Sequence, residues 1–331
     1  MTPPSLSDPL MLLLAGLAID ALFGDMPIVF RFVPHPVVLA GRAISFFDRK
    51  LNRPQRTERA RRERGILTVI ALVGGAAAIG WLIQALCRGR PVGALIEVLL
   101  IGILVAMRSL FLHVAAVALA LRDGGVEAGR RAVSHIVGRD PAWLDRHGVA
   151  RAAIESLAEN FSDGVVAPVF WYLVGGLPGL FAYKMANTLD SMIGHRSERY
   201  RAFGWAAARF DDLLNLAPAR LSGLLLAAAA VFVRDARPGR SVVTMLRDAR
   251  KHRSPNAGWP EAAMAGALGL ALAGPRRYAE GTVEDPWIGD GTARAREADI
   301  ARALRLYYVA CLVLSGGLAV AWIGLHVRLP G

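Results

Sequence analysis

The sequence predicts an all-α integral membrane protein, a polytopic helical bundle with re-entrant or broken helices and polar cytoplasmic connections. Three observations carry this expectation. Of 331 residues, 54% are hydrophobic, with a mean hydropathy of +0.38. The apolar residues are gathered in runs; residues 66–86 carry no charge, and about 20 such residues make a helix long enough to cross a bilayer core. The cations lie between the runs: 42–64 holds nine Arg/Lys against three Asp/Glu, and 234–253 holds seven against two. The net charge of +12 is therefore read as the positive-inside rule and not as nucleic-acid binding.

Each run has its own reading. The first, 9–23, has no basic n-region and no small-residue cleavage site, so it is expected to stay as a membrane segment. Residues 66–86 run outward from the basic loop, and Arg88-Gly89-Arg90-Pro91 turns the chain into 92–121, read as one returning span. The stretch 122–163 is expected in the cytoplasm, with a helix break at Arg139-Asp140-Pro141 and a new helix over GVARAAIESLAEN. Two more runs, 165–183 and 213–233, lie between cytoplasmic ends. The first is interrupted by Gly175-Gly176-Leu177-Pro178-Gly179, which leaves halves too short to span, so both runs are expected to fold back. The last run, 305–325, crosses. Asp20, Glu97, Arg108 and His113 interrupt the apolar segments, either as structural partners (Asp20 with Arg108) or as the floor of a site. No fixed-period repeat or low-complexity linker divides the chain, so residues 1–331 are read as one membrane-embedded domain. Cys87 and Cys311 form no metal spacing and no disulfide framework.

The polar stretches beside these runs carry the chemistry. In ESLAENFSDG, Glu155, Glu159 and Asp163 fall at i, i+4 and i+8, which on a helix places three carboxylates in one row. A ladder with Arg151 is the plainer explanation of that row. In YKMANTLDSMIGHRSERY, Lys184, Asn187 and Ser191 share a helical face beside Asp190. Gly194 can end that helix, and His195, Arg196, Glu198 and Arg199 follow. In FGWAAARFDDLLNLAPAR, Arg209, Asp211, Asp212 and Asn215 cluster; the acid pair alone could be dipole-favourable charge at a helix start. In KHRSPNAGWPEAAMAGALG, His252, Arg253, Ser254 and Asn256 precede a helix holding Glu261. Phosphate-loop, zinc-protease and serine-hydrolase motifs are missing. Carboxylates with Lys, Arg and Asn suit Mg²⁺ and anionic oxygens, hence a nucleotide-dependent reaction on another scaffold.

Together with GDMPIVFRFVPHPVVLAGR (24–42), IVGRDPAWLD (136–145) and DPWIGDG (285–291), these stretches resemble the cobalamin-biosynthesis CobD/CbiB family over nearly the whole chain. One departure is Pro141, where the family is expected to carry Thr. The resemblance implies an ATP- and Mg²⁺-dependent ligase of the bacterial inner membrane, with its site on the cytoplasmic side. It would join 1-amino-2-propanol, or its O-phosphate, to the propionate carboxylate of (adenosyl)cobyric acid, a corrinoid. Under that reading Glu159 and Asp163 are the first choice for Mg²⁺, with Asp190 and Asp212 competing. Lys184, His195, Arg196 and Arg199 would hold the triphosphate, with Ser191 and Asp211 beside them. Asn160, Asn187 and Asn256 would orient amide or phosphate oxygens, and Arg209, Arg253 and His35 would contact a corrin carboxylate or an amine phosphate. Glu155 or Glu261 would be the base if one is needed. The rival classes are a membrane transporter of an anionic solute, which also uses charged and broken segments, and a membrane scaffold for other corrin enzymes.

Overall fold

The computed structural model describes residues 8–24, 30–31, 34–138, 140–278 and 281–326, with backbone alone for 276–278 and 281–283. Arg139 and residues 25–29 and 32–33, which belong to two of the motifs above, lie outside the described residues. The all-α class holds: the only strands described are two short antiparallel pairs. Among the described residues four helical stretches are long and apolar enough to cross a membrane: Glu58–Cys87, Pro91–Val133, Arg146–Ile193 and Glu297–His326. The apolar helices Pro9–Phe23 and Leu216–Ala229 are shorter. The chain divides into two compact units, one of 1–105, 167–215 and 326–331, the other of 106–166 and 216–325.

The first unit contains α1 (Pro9–Phe23), α2 (Pro36–Leu51), α3 (Glu58–Cys87), α4 (Pro91–Leu104), α7 (Ala167–Ile193) and α8 (Trp205–Leu214). Side-chain oxygens start two of these: Asp8 accepts from the Met11 N–H at 3.0 Å, and Thr57 from that of Ala60 at 3.3 Å. His35 caps α2 in the same way, its Nδ1 accepting from the Val37 N–H at 3.2 Å. The run 92–121 lies in one stretch long and apolar enough to cross, but its helix is interrupted. It breaks after α4, where Val105 and Ala106 leave helical geometry. No Gly or Pro marks the place; a tertiary bond, Ala106 N–H to the Gly164 carbonyl at 2.9 Å, takes the donor that the helix would have used.

α7 breaks where the Gly/Pro run placed the interruption. Gly176 has φ 60° and ψ −149°, a conformation essentially confined to glycine that costs other residues about 1–3 kcal/mol. Two residues on, Pro178 offers no backbone N–H. A Cβ at Gly179 would strike the Trp171 carbonyl, so the chain doubles back on itself at this point. The first half of α7 then braces α8, with Trp171 Nε1 donating to the Leu214 carbonyl at 3.1 Å. Tyr172 donates to the Glu97 carboxylate on α4 at 2.8 Å, which gives that intramembrane acid its partner. Ile44, Val69, Leu72, Leu189, Ile193 and Phe203 form the buried core that joins α2, α3, the second half of α7 and the loop before α8.

The second unit contains α5 (Met107–Val133), α6 (Arg146–Phe161), a π turn (Ser162–Val166), α9 (Leu216–Ala229), α10 (Pro238–Asp248), a 3₁₀ turn (Ala249–Lys251), α11 (Gly258–Leu268) and α12 (Glu297–His326). β1 (Leu272–Ala273) pairs with β4 (Trp287–Ile288), and β2 (Arg276–Tyr278) with β3 (Gly281–Val283). α6 and α11 are buried on almost every side. Their alanines, among them Ala152, Ala153, Ala262 and Ala263, let neighbours approach closely. A buried carboxylate ties this unit together: Asp248 takes Arg247 and Lys251, each at 2.8 Å, and accepts the Gly289 N–H at 2.8 Å.

Candidate active site

The second half of α7 and the body of α8 bring two of the polar stretches into one network in the first unit. Asp211 is its centre. It accepts from Asn187 at 3.4 Å and from Asn215 at 3.0 Å, and the Tyr183 hydroxyl donates to the Asn215 side-chain oxygen at 3.0 Å. Ser191 donates to the Asn187 carbonyl at 2.9 Å. Asp190 and Asp212 lie close enough for their charges to act on one another and on Asp211. α7 ends beside Asp190, whose carbonyl accepts the Gly194 N–H at 2.7 Å; a Cβ at Gly194 would meet the Asp190 carboxylate.

Three carboxylates sharing one partly dry site repel each other. Burial, and then the Asp190 charge, push the Asp211 carboxyl up to about 7, against the pull of Asn187 and Asn215. The stability tied to a raised carboxyl is full at low pH and is lost as pH rises through that value. Burial also raises Asp212, against the charges of Arg209 and Arg196. Arg209 stands 3.5 Å from Asp212, and the exposed His195 lies near Asp190. Negative charge thus sits inside a rim of cations, an arrangement that a hard cation and a polyanion would jointly neutralise.

Several expected placements are corrected. Asp211 and Asp212 lie in the last turns of α8, where the helix dipole disfavours acids, so they are not a helix start. Lys184, one turn from Asn187, borders a second feature of this unit. With Met185 and Thr188 it lines an apolar cavity of about 340 Å³ between α2, α3 and α7. Arg199 is bound to the buried Asp48 at 2.6 Å; Asn52 and Arg61 tie the same loop through the Arg199 carbonyl. Among the described residues Arg196 has no such anchor, and it stays exposed beside Asp212.

The row of three acids in the second unit is also broken up. Glu155 is buried and accepts the Ala273 N–H of β1 at 2.9 Å, whereas Glu159 is exposed. α6 stops at Phe161, and Asp163 falls in the π turn that follows. Asn160 donates back to the Ser156 carbonyl at 2.9 Å. The motifs HRSPN and DPWIGDG meet here, with Arg253 2.8 Å from Asp285. His252 lies 3.7 Å from the buried Glu261, and Asn256 accepts from Arg220 at 3.4 Å.

Sequence reasoning missed Tyr183, Asp48 and Arg220 as members of these clusters. Tyr183 stands one residue before Lys184 inside a quoted motif, and its position one turn before Asn187 was the available signal. Nothing local marked Asp48, whose partner lies 151 positions away.

The model of a family described as "CobD/Cbib protein" matches residues 13–307. The Cobalamin biosynthesis protein CobD of a Sinorhizobium species is 53% identical over 323 residues, covering 96% of this chain and 100% of that protein. Proteins of the same name from Brucella suis and Rhodobacter capsulatus are 51% and 48% identical, covering 96% and 94% of this chain and 98% of each relative. No solved structure matches. With the family model spanning the motifs of both units, and relatives aligned almost end to end, the chain belongs to the CobD/CbiB family.

Proposed function

We propose that this protein is an ATP- and Mg²⁺-dependent amide ligase of cobalamin biosynthesis in the bacterial inner membrane. It joins 1-amino-2-propanol, or its O-phosphate, to the propionate carboxylate of (adenosyl)cobyric acid. The family membership supports the pathway. The observation that carries the chemistry is the gathering of Asp190, Asp211 and Asp212 with two amides and a cationic rim. A carboxylate is a poor electrophile, so it must first become a mixed anhydride with phosphate, which the amine then displaces.

The donor set fits Mg²⁺. Among the described residues no three His, Cys, Asp or Glu side chains form a metal cage, and Mg²⁺ takes one or two carboxylates and completes its shell with phosphate oxygens and water. Asp190 and Asp212 would hold it, with Glu159 and Asp163 of the other unit as the rival pair. Bound there, Mg²⁺ supplies charge neutralisation to the phosphates. Asn187 and Asn215 fix the Asp211 carboxylate and keep it turned inward. Arg196 and Arg209 place positive charge where phosphoryl oxygens gain negative charge, the main service a protein gives such a transfer, and His195 stands beside them as a hydrogen-bonding group.

Purified protein in nanodiscs, given the corrinoid acid, either amine, ATP and Mg²⁺, is expected to form the amide, read by mass spectrometry, with nucleotide consumption that depends on both other substrates. Corrinoid movement across proteoliposomes without an amide product would favour the transporter.

A further inference from the structure

α12 carries no Asp, Glu, Lys or Arg from Leu306 to Leu325, a run long enough to cross a bilayer core. Arg305 is the last charge before it. Residues 221–233 are likewise uncharged, and Arg234 is the first charge after them. Each arginine therefore marks a boundary where an apolar run meets polar chain, and from Arg234 the chain continues into the basic stretch 234–253.

The two arginines line one cavity of about 570 Å³ in the second unit. Its walls are apolar: Phe111 of α5, Phe232 in the turn after α9, and Leu304 and Tyr308 of α12. Phe232 and Tyr308 are exposed, as are both arginines. Among the described residues neither arginine has an acid partner. Their neighbour Arg302 differs. It meets Asp299 at 3.0 Å and donates to the Asp235 carbonyl at 3.2 Å, which ties the turn bearing Arg234 to the helix bearing Arg305. Asp235 holds that turn in a left-handed backbone, φ 65°, which Asp tolerates better than most residues.

We propose that this cavity seats one anionic phospholipid, its phosphate between Arg234 and Arg305 and an acyl chain against Phe232, Leu304 and Tyr308. Two cations without acids call for an anion, and the guanidinium fork suits phosphate oxygens. Apolar walls at a bilayer boundary call for a tail. A soluble phosphate would satisfy the arginines and leave the walls bare; a zwitterionic lipid would bring its own cation to the pair. Basic pockets between membrane helices recognise anionic headgroups on these grounds. The volume lies within the range of ligand sites, about 300–1,000 Å³, and exceeds what a lone phosphate ion fills. The inference is independent of the ligase reading.

The test is native mass spectrometry of the full-length protein, released from detergent and titrated with dioleoyl phosphatidylglycerol, dioleoyl phosphatidylcholine or glycerol 3-phosphate. Wild type is expected to hold one phosphatidylglycerol roughly tenfold more tightly than phosphatidylcholine. Glycerol 3-phosphate, which has the charge without the tails, should bind far more weakly than the lipid. Arg234→Gln combined with Arg305→Gln should remove the preference and leave phosphatidylcholine binding as in wild type, which also reports a folded protein. Phe232→Glu, at an exposed wall position, should remove it as well by setting a carboxylate beside the pair, and it decides the matter if the double variant does not fold. Equal binding of the two lipids by wild type, or a preference that survives these changes, overturns the proposal. So does glycerol 3-phosphate binding as tightly as phosphatidylglycerol, which would mark a site for a soluble phosphate. A lipid-free dimer that the arginine variants dissociate overturns it too, by making a second copy of the chain the occupant.

Discussion

Asp212→Asn is expected to lower ATP-dependent amide formation by about three orders of magnitude, the loss that follows when several kcal/mol of metal-assisted charge stabilisation disappear. Asp190→Asn should behave alike. Their effect on stability separates function from structure. Each replacement removes one of three mutually repelling carboxylates and keeps the side chain's shape, so the variants should melt at the same temperature as wild type or higher. The Tyr183–Asn215–Asp211–Asn187 chain stays complete in both. Near-normal turnover in the two variants, with loss instead in Glu159→Gln and Asp163→Asn, would move the metal to the acids of the other unit. Turnover assays in nanodiscs beside thermal melts decide it.

Asp248→Asn is expected to destabilise the protein by about 2–3 kcal/mol. A lone charge removed from a fully buried pair costs about 3–5 kcal/mol; the Arg247 and Lys251 partners here are near half exposed, so water softens the loss. The pH dependence has a definite sign. Hydrogen bonds and charge from Arg247 and Lys251, with the Gly289 N–H, hold this carboxyl well below the usual carboxylate range against the cost of burial. Its stabilisation is therefore full above the ordinary carboxylate pKa and fades as the pH falls below about 4. Melts between pH 7 and pH 3 should show wild type and the variant converging as the solution becomes acidic. A constant gap across that range would mean that Asp248 acts through packing and not through charge.

Much of this architecture was legible because single residues act locally. Pro36 and Pro91 open helices, Gly194 follows the last residue of α7, and the Gly175–Gly179 run breaks it. The polar composition of the α7 and α8 stretches announced their network because amides beside acids have little purpose on a plain membrane-facing surface. What escaped reading depended on distant partners. The break at Val105 needs the Gly164 carbonyl, and Arg199 is drawn to Asp48 from across the chain. The π turn after Phe161 shifts the phase of the helix that follows it by an inserted residue, which a fixed 3.6-residue period does not anticipate. Lys184 has an apolar cavity on its flank that hydropathy alone did not distinguish from the polar side.

In the proposed ligase reaction the propionate is activated by phosphate before the amine arrives. Cobyric acid labelled with oxygen-18 in that carboxylate tests it directly during a complete reaction with ATP, Mg²⁺ and the amine. One labelled oxygen is predicted in the released phosphate, or in AMP if the nucleotide is cleaved there, and the other in the amide. Amide product formed with no oxygen-18 in any phosphate would contradict it.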